Sequence, residues 1–426
     1  MTTAAAGSNP EIPGRELRVQ LKDIHAARQL LDGVIVDTPM EHSRALGRML
    51  NATVHFKAEN LQRAGSFKVR GAYVRMARLS EDEMARGVVA ASAGNHAQGV
   101  ALAAKKLGIK ARIYMPRGVA LPKLAATRDH GAEVILHGSN VDEALAEAQR
   151  HSDESGAVFI HPFNNTDVVA GQGTIGLEIL DQQPEVDTVI MGIGGGGLLA
   201  GAAVALKQEA ARRGRKITLV GVQAENAAAY PPSLAADALV PLKGVRTIAD
   251  GIAVGRPGEI PFEIIKELVD EVVTVSEDAI AKALIFLMER SKLVVEPAGA
   301  VGVAALLEDK LSELNVNAKN IVAVLSGGNI DPMLMLRIIQ HGLSAADRFL
   351  TVKLMLKDRP GELALISKLI ADTDANVIGV DHSRIGGELS MGDVSIVIDM
   401  ETKGQEHSSL VLNSLRAEGY EPIVHQ

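Results

Sequence analysis

Between about Val54 and Val324, short apolar runs rich in β-branched residues alternate with longer stretches whose alanines and leucines recur at helical spacing. Segments 88–91, 111–115, 133–136, 189–192, 218–222 and 321–325 read as strands, and 97–107, 141–150 and 198–212 as helices. Alternation of this kind is built from βαβ units and gives a mostly parallel α/β sheet. Such sheets place their ligands at the carboxyl ends of the strands. The window 189–206 is apolar throughout and long enough to mimic a membrane span. Gly192 and the run from Gly194 to Gly197 instead divide it into buried strand, turn and helix start.

After Gln340 the rhythm changes. Segment 350–356 reads as a strand, 360–372 as a helix opening on proline, 376–384 and 393–400 as strands, 405–418 as a helix and 421–425 as a last strand. This βαββαβ order is the ferredoxin-like one, and 342–347 reads as the linker before it. A chain of 426 residues calls for about two or three compact units, and one large with one small fits.

A net charge of −8 without a sustained basic run, and 3% aromatic residues, exclude nucleic acid as the main partner. The absence of cysteine removes disulfides and thiolate chemistry and fits a reducing compartment, the cytoplasm by default. Met1 to Gly14 has neither the basic start nor the apolar run of a signal peptide and reads as a frayed tail, with no membrane partner.

Four segments at predicted strand ends carry residue types suited to a phosphorylated aldehyde cofactor. In Gly65-Ser66-Phe67-Lys68-Val69-Arg70-Gly71, Ser66 is placed to cap a helix running through Tyr73 and Met76, which puts Lys68 in its first turn. There the helix dipole, joined by desolvation, lowers an amine toward the range of a nucleophile or base. The plain alternative is a solvated surface lysine. In the second segment Ser92, Ala93, Gly94, Asn95 and His96 open a helix whose free N–H groups suit a substrate carboxylate, and Asn95 is placed to bond a ring oxygen. Ordinary capping by Ser92 and Asn95 competes with this, and for His96 a satisfied polar residue is the preferred reading. In the third, Gly194, Gly195, Gly196 and Gly197 precede Leu198, and successive N–H groups there can converge on one phosphate. Gly192, Gly194 and Gly197 also satisfy a dinucleotide spacing, but the acidic residue expected about 20 positions on is missing, Glu225 being further away. The fourth is Leu325-Ser326-Gly327-Gly328-Asn329, with Glu296-Pro297 in an earlier loop. Ser326 is suited to a ring nitrogen.

Together these segments resemble the threonine dehydratase family of fold type II pyridoxal-phosphate (PLP) enzymes, from about Leu30 to Asp331. The resemblance implies a tryptophan synthase β-like α/β fold with two parallel-sheet subdomains. It implies that Lys68, followed by Val69, Arg70, Gly71 and Ala72, carries PLP as a Schiff base and is the catalytic residue. Ser92, Gly94 and Asn95, with Ser66, Ala93 and His96 beside them, would hold the substrate carboxylate and the cofactor's phenolic oxygen. Gly194, Gly195, Gly196, Gly197 and Leu198 would hold the phosphate, and Ser326 would face the pyridine nitrogen. The implied reaction takes water and ammonia from L-threonine to give 2-oxobutanoate, with L-serine to pyruvate as a side activity and isoleucine biosynthesis as the expected setting, threonine breakdown being the alternative.

Two departures from relatives sharpen this. Serine racemases carry a second serine where this chain has Ala93, so racemisation is not expected. The same relatives bind a divalent ion through carboxylates where this chain offers Gln223 and Ala229, so no metal is expected. The C-terminal region resembles an ACT domain, through Asp358-Arg359-Pro360-Gly361-Glu362-Leu363 and Asp381-His382-Ser383-Arg384. That implies an amino-acid or nucleotide effector and a homo-oligomer, a tetramer by the family's leaning. A structural dimerisation module is the alternative. The expected layout is a flexible tail over 1–20, a PLP-dependent catalytic domain over 21–341 and an ACT regulatory domain over 349–426. Competing functions are a serine-preferring dehydratase or β-replacement synthase of the same fold, a catalytically silent amino-acid sensor, and a nicotinamide dehydrogenase. Lys68 and Ser326 together speak against the sensor.

Overall fold

The computed structural model describes residues 17–316, 318–345, 348–384 and 392–425. The proposed tail at Met1 to Gly14 and the last two linker positions lie outside them. The chain divides between Asp331 and Pro332 into two compact units.

Among its described residues the first unit holds ten strands: β1 (Met40–His42), β2 (Thr53–Lys57), β3 (Val88–Ala91), β4 (Ala111–Met115), β5 (Glu133–Leu136), β6 (Val158–Phe159), β7 (Thr188–Gly192), β8 (Thr218–Ala224), β9 (Glu271–Val275) and β10 (Asn320–Val324). They form two sheets, one ordered β1-β2-β10-β7-β8-β9 and one ordered β5-β4-β3-β6. Every pairing is parallel except that of β1 with β2. The inner strands β7 and β3 are buried at every position, as sheets covered on both faces require. Helices Leu21–Leu31, Thr166–Gln182 and Gly197–Arg212 cover the larger sheet and contribute Ile24, Leu31, Ile175, Ile179, Leu199 and Val204 to its core. Val19 is buried in that core too, so the tail ends earlier than position 20.

This topology gathers the chemistry. Neighbouring parallel strands β7 and β10 deliver the 193–197 and 325–329 loops to one edge of the large sheet, while β3 and β6 deliver the 92–95 and 160–165 loops to one edge of the small one. The apolar window 189–206 resolves into β7, the glycine loop and the helix Gly197–Arg212. Among the described residues no helix is long and apolar enough to cross a membrane.

The second unit is a four-stranded antiparallel sheet ordered β12-β13-β11-β14, where β11 is Phe349–Lys357, β12 Asn376–Ser383, β13 Asp393–Glu401 and β14 Ile423–His425. Helices Glu362–Ala371 and Gln405–Ala417 complete the βαββαβ order. Strict alternation along β11 and β13 turns Val352, Leu354, Ile396, Ile398 and Met400 inward against Ile366, Ile370, Val411 and Leu415. Two expectations fail in detail. The first helix begins at Glu362 because Gly361 is left-handed, with φ +95°, which leaves Pro360 in the turn. The linker read from Gly342 is the end of the helix Pro332–Ala345, since its small residues do not outweigh the preceding helical pattern.

Candidate active site

The lysine segment is joined to the loop after β10. Ser66 pairs with Gly327 in an antiparallel bridge, the Phe67 N–H donates to the Ser326 carbonyl at 3.2 Å and the Gly328 N–H to the Gly65 carbonyl at 2.9 Å. Lys68 is the first residue of the helix Lys68–Ala77, as its first-turn position required, but the cap residue is Phe67 rather than Ser66. The bridge holds Ser66 extended, and its buried Oγ has no hydrogen-bond partner among the described residues. Lys68 is part-buried, and its Nζ donates to the Pro162 carbonyl at 3.2 Å. Burial lowers the amine to about 8, with Glu296 drawing it back only in part.

Across from it, the Gly94 N–H donates to Ser92 Oγ at 3.1 Å, and Gly94 caps the helix Asn95–Leu107 without a side-chain hydrogen bond. Ser92 therefore ties the turn, and neither it nor Asn95 caps the helix. Asn95 is held from both ends of its amide: Nδ2 donates to Glu296 Oε1 at 2.6 Å, and Oδ1 accepts from Asn329 Nδ2 at 2.8 Å. Burial, with the nearby Asp250 charge, pushes the Glu296 carboxyl up to about 7. His96 is buried with Nε2 at 2.8 Å from the Ile160 carbonyl. Burial and the Lys68 charge push its ring down to about 3, so it is neutral and Nε2–H donates. Ala93 lies half-buried in the same turn.

The glycines after β7 have a packing reason as well as a ligand-binding one. A β-carbon on Gly195 would overlap the Phe163 ring, and one on Gly196, which is left-handed at φ +98°, would overlap the Tyr230 hydroxyl. Tyr230 Oη also donates to the Gly195 carbonyl at 3.2 Å. Gly197 opens the helix Gly197–Arg212 and Leu198 follows, so their N–H groups lack acceptors within the helix and are available to an anion. Ser326 is buried beside the lysine segment. Gln223 donates to the Ile193 and Ala227 carbonyls, both at 3.2 Å, and accepts from the Tyr230 N–H at 2.8 Å, which commits its whole amide to holding this loop.

Several site residues carry no legible signal in the sequence. His161 Nδ1 accepts from the Phe163 and Asn164 N–H groups at 3.2 and 2.8 Å, and burial followed by the Lys68 charge pushes it down to about 4. Its loop follows β6, a two-residue strand too short to show a period. Arg70 is fully buried and clamps Glu59 and Glu178, while Lys57 pairs with Glu178 at 2.6 Å. A separate cavity of about 560 Å³, bounded by Arg28, Asp32, Asp37 and Glu178 among others, contains none of Lys68, Asn95 or Ser326.

Two parallel sheets whose strand ends converge on a part-buried, low-pKa lysine, a glycine loop at a helix start and a serine loop define a fold type II PLP enzyme. Residues 31–327 match the family model of the pyridoxal-phosphate dependent enzymes. Among individual proteins, the chain is 45% identical over 403 residues to an L-threonine ammonia-lyase of Thermotoga maritima, covering 95% of this chain and 98% of that one. It is 45% identical over 316 residues to the catabolic L-threonine dehydratase of Escherichia coli K12, covering 74% of this chain and 94% of that one. Among solved structures, the processed threonine deaminase isoform 2 of Solanum lycopersicum superimposes with a TM-score of 0.71 at 35% identity, over 80% of this chain and 99% of that one. Maize serine racemase gives 0.71 at 34% identity, over 77% and 98%. The chain belongs to the threonine ammonia-lyase family of PLP-dependent enzymes. The site suits that cofactor: a part-buried amine of lowered pKa for the aldehyde, helix-start N–H groups for the phosphate, and near the lysine a buried Ser66 hydroxyl that has no partner among the described residues.

Proposed function

We propose that this chain converts L-threonine to 2-oxobutanoate and ammonia, and L-serine to pyruvate more slowly, with Lys68 as the base. The observation that carries the reading is the setting of Lys68: first residue of its helix, bonded to the Pro162 carbonyl and lowered by burial to about 8. Lys68, the N–H groups from Gly194 to Leu198 and Ser326 would hold PLP, whose conjugated ring would supply an electron sink for the Cα carbanion. The 92–95 turn holds the α-carboxylate on the N–H groups at the start of its helix. Asn95 is fixed by Glu296 and Asn329, and its amide would serve the cofactor's phenolic oxygen. Lys68, whose amine burial shifts toward the neutral form, takes the proton from Cα. His96 and His161, both held neutral, add no competing cation. One methyl group discriminates by about 1–3 kcal/mol, so serine enters the same site.

The C-terminal βαββαβ unit is read as an ACT regulatory domain that binds an amino-acid or nucleotide effector in a homo-oligomer, a tetramer on the family's pattern. A cytoplasmic enzyme feeding isoleucine biosynthesis is the accompanying assignment.

The test is the visible spectrum of purified protein, wild type and Lys68→Ala, followed by addition of L-threonine and assay of 2-oxobutanoate. A visible cofactor band present only in wild type, coupled to oxo-acid release, is the expected result. A wild type that PLP cannot colour would reject the assignment.

A further inference from the structure

Lys123 and Asp250 form an ion pair across the two sheets of the first unit. Lys123 lies on the helix Leu121–Asp129, between β4 and β5 of the small sheet, and Asp250 opens the 3-10 turn Asp250–Ile252, between β8 and β9 of the large one. Their Nζ and Oδ2 are 2.5 Å apart. The pair stands beside the 92–95 turn, because a β-carbon built on Gly94 would meet Lys123 Nζ at 3.7 Å. It also stands beside Glu296, whose carboxyl feels the charges of both Asp250 and Lys123.

The two partners are unequally exposed. The Lys123 side chain retains 12% of its accessible surface and Asp250 retains 49%. Asp250 can rotate into water at little cost, whereas the ammonium would be left largely desolvated and must then take another anion. The anion that enters this end of the site is the substrate's α-carboxylate, on the reading of the 92–95 turn given above, on which this inference rests.

We propose that Lys123 is a substrate-carboxylate-binding residue and that Asp250 is its placeholder until an amino acid binds and displaces it. The exchange keeps one anion on the ammonium throughout, so the less exposed of the two charges is never left unpaired, while the released Asp250 is solvated. It also draws the helix carrying Lys123 toward the bound amino acid instead of toward the opposite sheet. Because carboxylate and Asp250 compete for one cation, the two partners' substitutions must act in opposite directions. A structural tie between the sheets would instead make both act in the same direction.

The measurement uses PLP-loaded enzyme and titrates the visible spectrum with 2-aminobutanoate, which carries the carboxylate but no β-hydroxyl to eliminate, alongside KM and kcat for L-threonine. Lys123→Met should weaken 2-aminobutanoate about tenfold, the loss of roughly one charge-assisted hydrogen bond. It should raise the KM for threonine similarly and leave kcat closer to wild type. Asp250→Asn should tighten both, and Lys123→Arg should retain most of the affinity. Weakening by Lys123→Met and Asp250→Asn alike would overturn the exchange in favour of a structural tie. Ser92→Ala, which loosens the turn, separates the proposal from its foundation. If it weakens 2-aminobutanoate while Lys123→Met does not, only the role of Lys123 falls. If neither variant affects binding, the carboxylate does not use this turn, and both readings fall.

Discussion

Burial raises the Glu296 carboxyl from 4.5 to about 7, so the folded chain holds that proton more tightly than the unfolded chain does. A group shifted upward stabilises the fold below its unfolded pKa and loses that contribution as pH rises through its folded one. The window is therefore 4.5 to about 7. Glu296→Gln keeps an oxygen to accept from Asn95 without a charge to bury, so its Tm relative to wild type should climb across that window and level off above it. A Tm difference independent of pH would show that the carboxyl titrates normally. Lys68 is shifted in the opposite sense, from 10.5 to about 8. Its neutral amine is the form that reacts with an aldehyde, so PLP uptake by cofactor-free protein should quicken about tenfold per pH unit below 8 and then level off. Stopped-flow absorbance across the pH range reads this directly, and uptake still accelerating nearly tenfold per pH unit from pH 8 to 10 would return the amine to its ordinary value. Of these two residues only Lys68 was legible as chemistry in the sequence, because its motif sits at a predicted helix start. Glu296 is separated from Asn95 by 201 positions, and nothing local marks a glutamate that will be buried against an asparagine.

The helix Lys68–Ala77 owes its placement to Arg70, one turn's fraction beyond the lysine. Its guanidinium meets Glu59 through Nε and Nη2, both at 2.8 Å, and Glu178 through Nη1 at 2.5 Å and Nη2 at 2.9 Å, with Thr174 Oγ1 at 3.1 Å. Burial would lower such a cation, but the two carboxylates outweigh it and hold the guanidinium charged. Arg70→Met would leave Glu178 with Lys57 and Glu59 with only the Thr38 hydroxyl among the described residues, and breaking a buried network from one side costs about 3–5 kcal/mol. Urea unfolding should show a loss of that order, and Arg70→Lys, which has no planar fork to serve both partners, should fall between. A loss below about 1 kcal/mol would mean the network relaxes and water replaces the fork. The strands and helices of the first unit were readable from their periods because they are buried on both faces or on one clear stripe. The charge network was not, since Lys57, Glu59, Arg70 and Glu178 look like surface residues until β2 and the helices Lys68–Ala77 and Thr166–Gln182 are packed together. Turn chemistry misled at Ser66 and Pro360 for a shared reason. Each has the composition of a helix start, but a backbone bridge to Gly327 in one case and a left-handed Gly361 in the other moves the boundary by one or two residues.

Every residue assigned to the site, from Lys68 through Asn95, the glycine loop and Glu296 to Ser326, precedes the division at Asp331, and the second unit has a core of its own built on Val352, Ile366, Ile398 and Val411. The match to the Escherichia coli enzyme likewise takes in 74% of this chain while covering 94% of that one. Ending the chain after Ala345 severs no element, since the helix Pro332–Ala345 is complete there and β11 begins at Phe349. The shortened protein should therefore take up PLP, show the visible band and turn over L-threonine at a rate within a few fold of full length, as expected when a unit with its own core is removed. What it should lose is any shift in KM or in cooperativity caused by added amino acids or nucleotides, because the antiparallel sheet proposed to bind them is gone. Titrating L-isoleucine, L-valine and AMP against both lengths separates the possibilities. A response confined to full length assigns regulation to the second unit, an equal response in both places the effector site in the first, and a shortened protein that cannot hold PLP would show that the catalytic unit depends on the sheet it was supposed to do without.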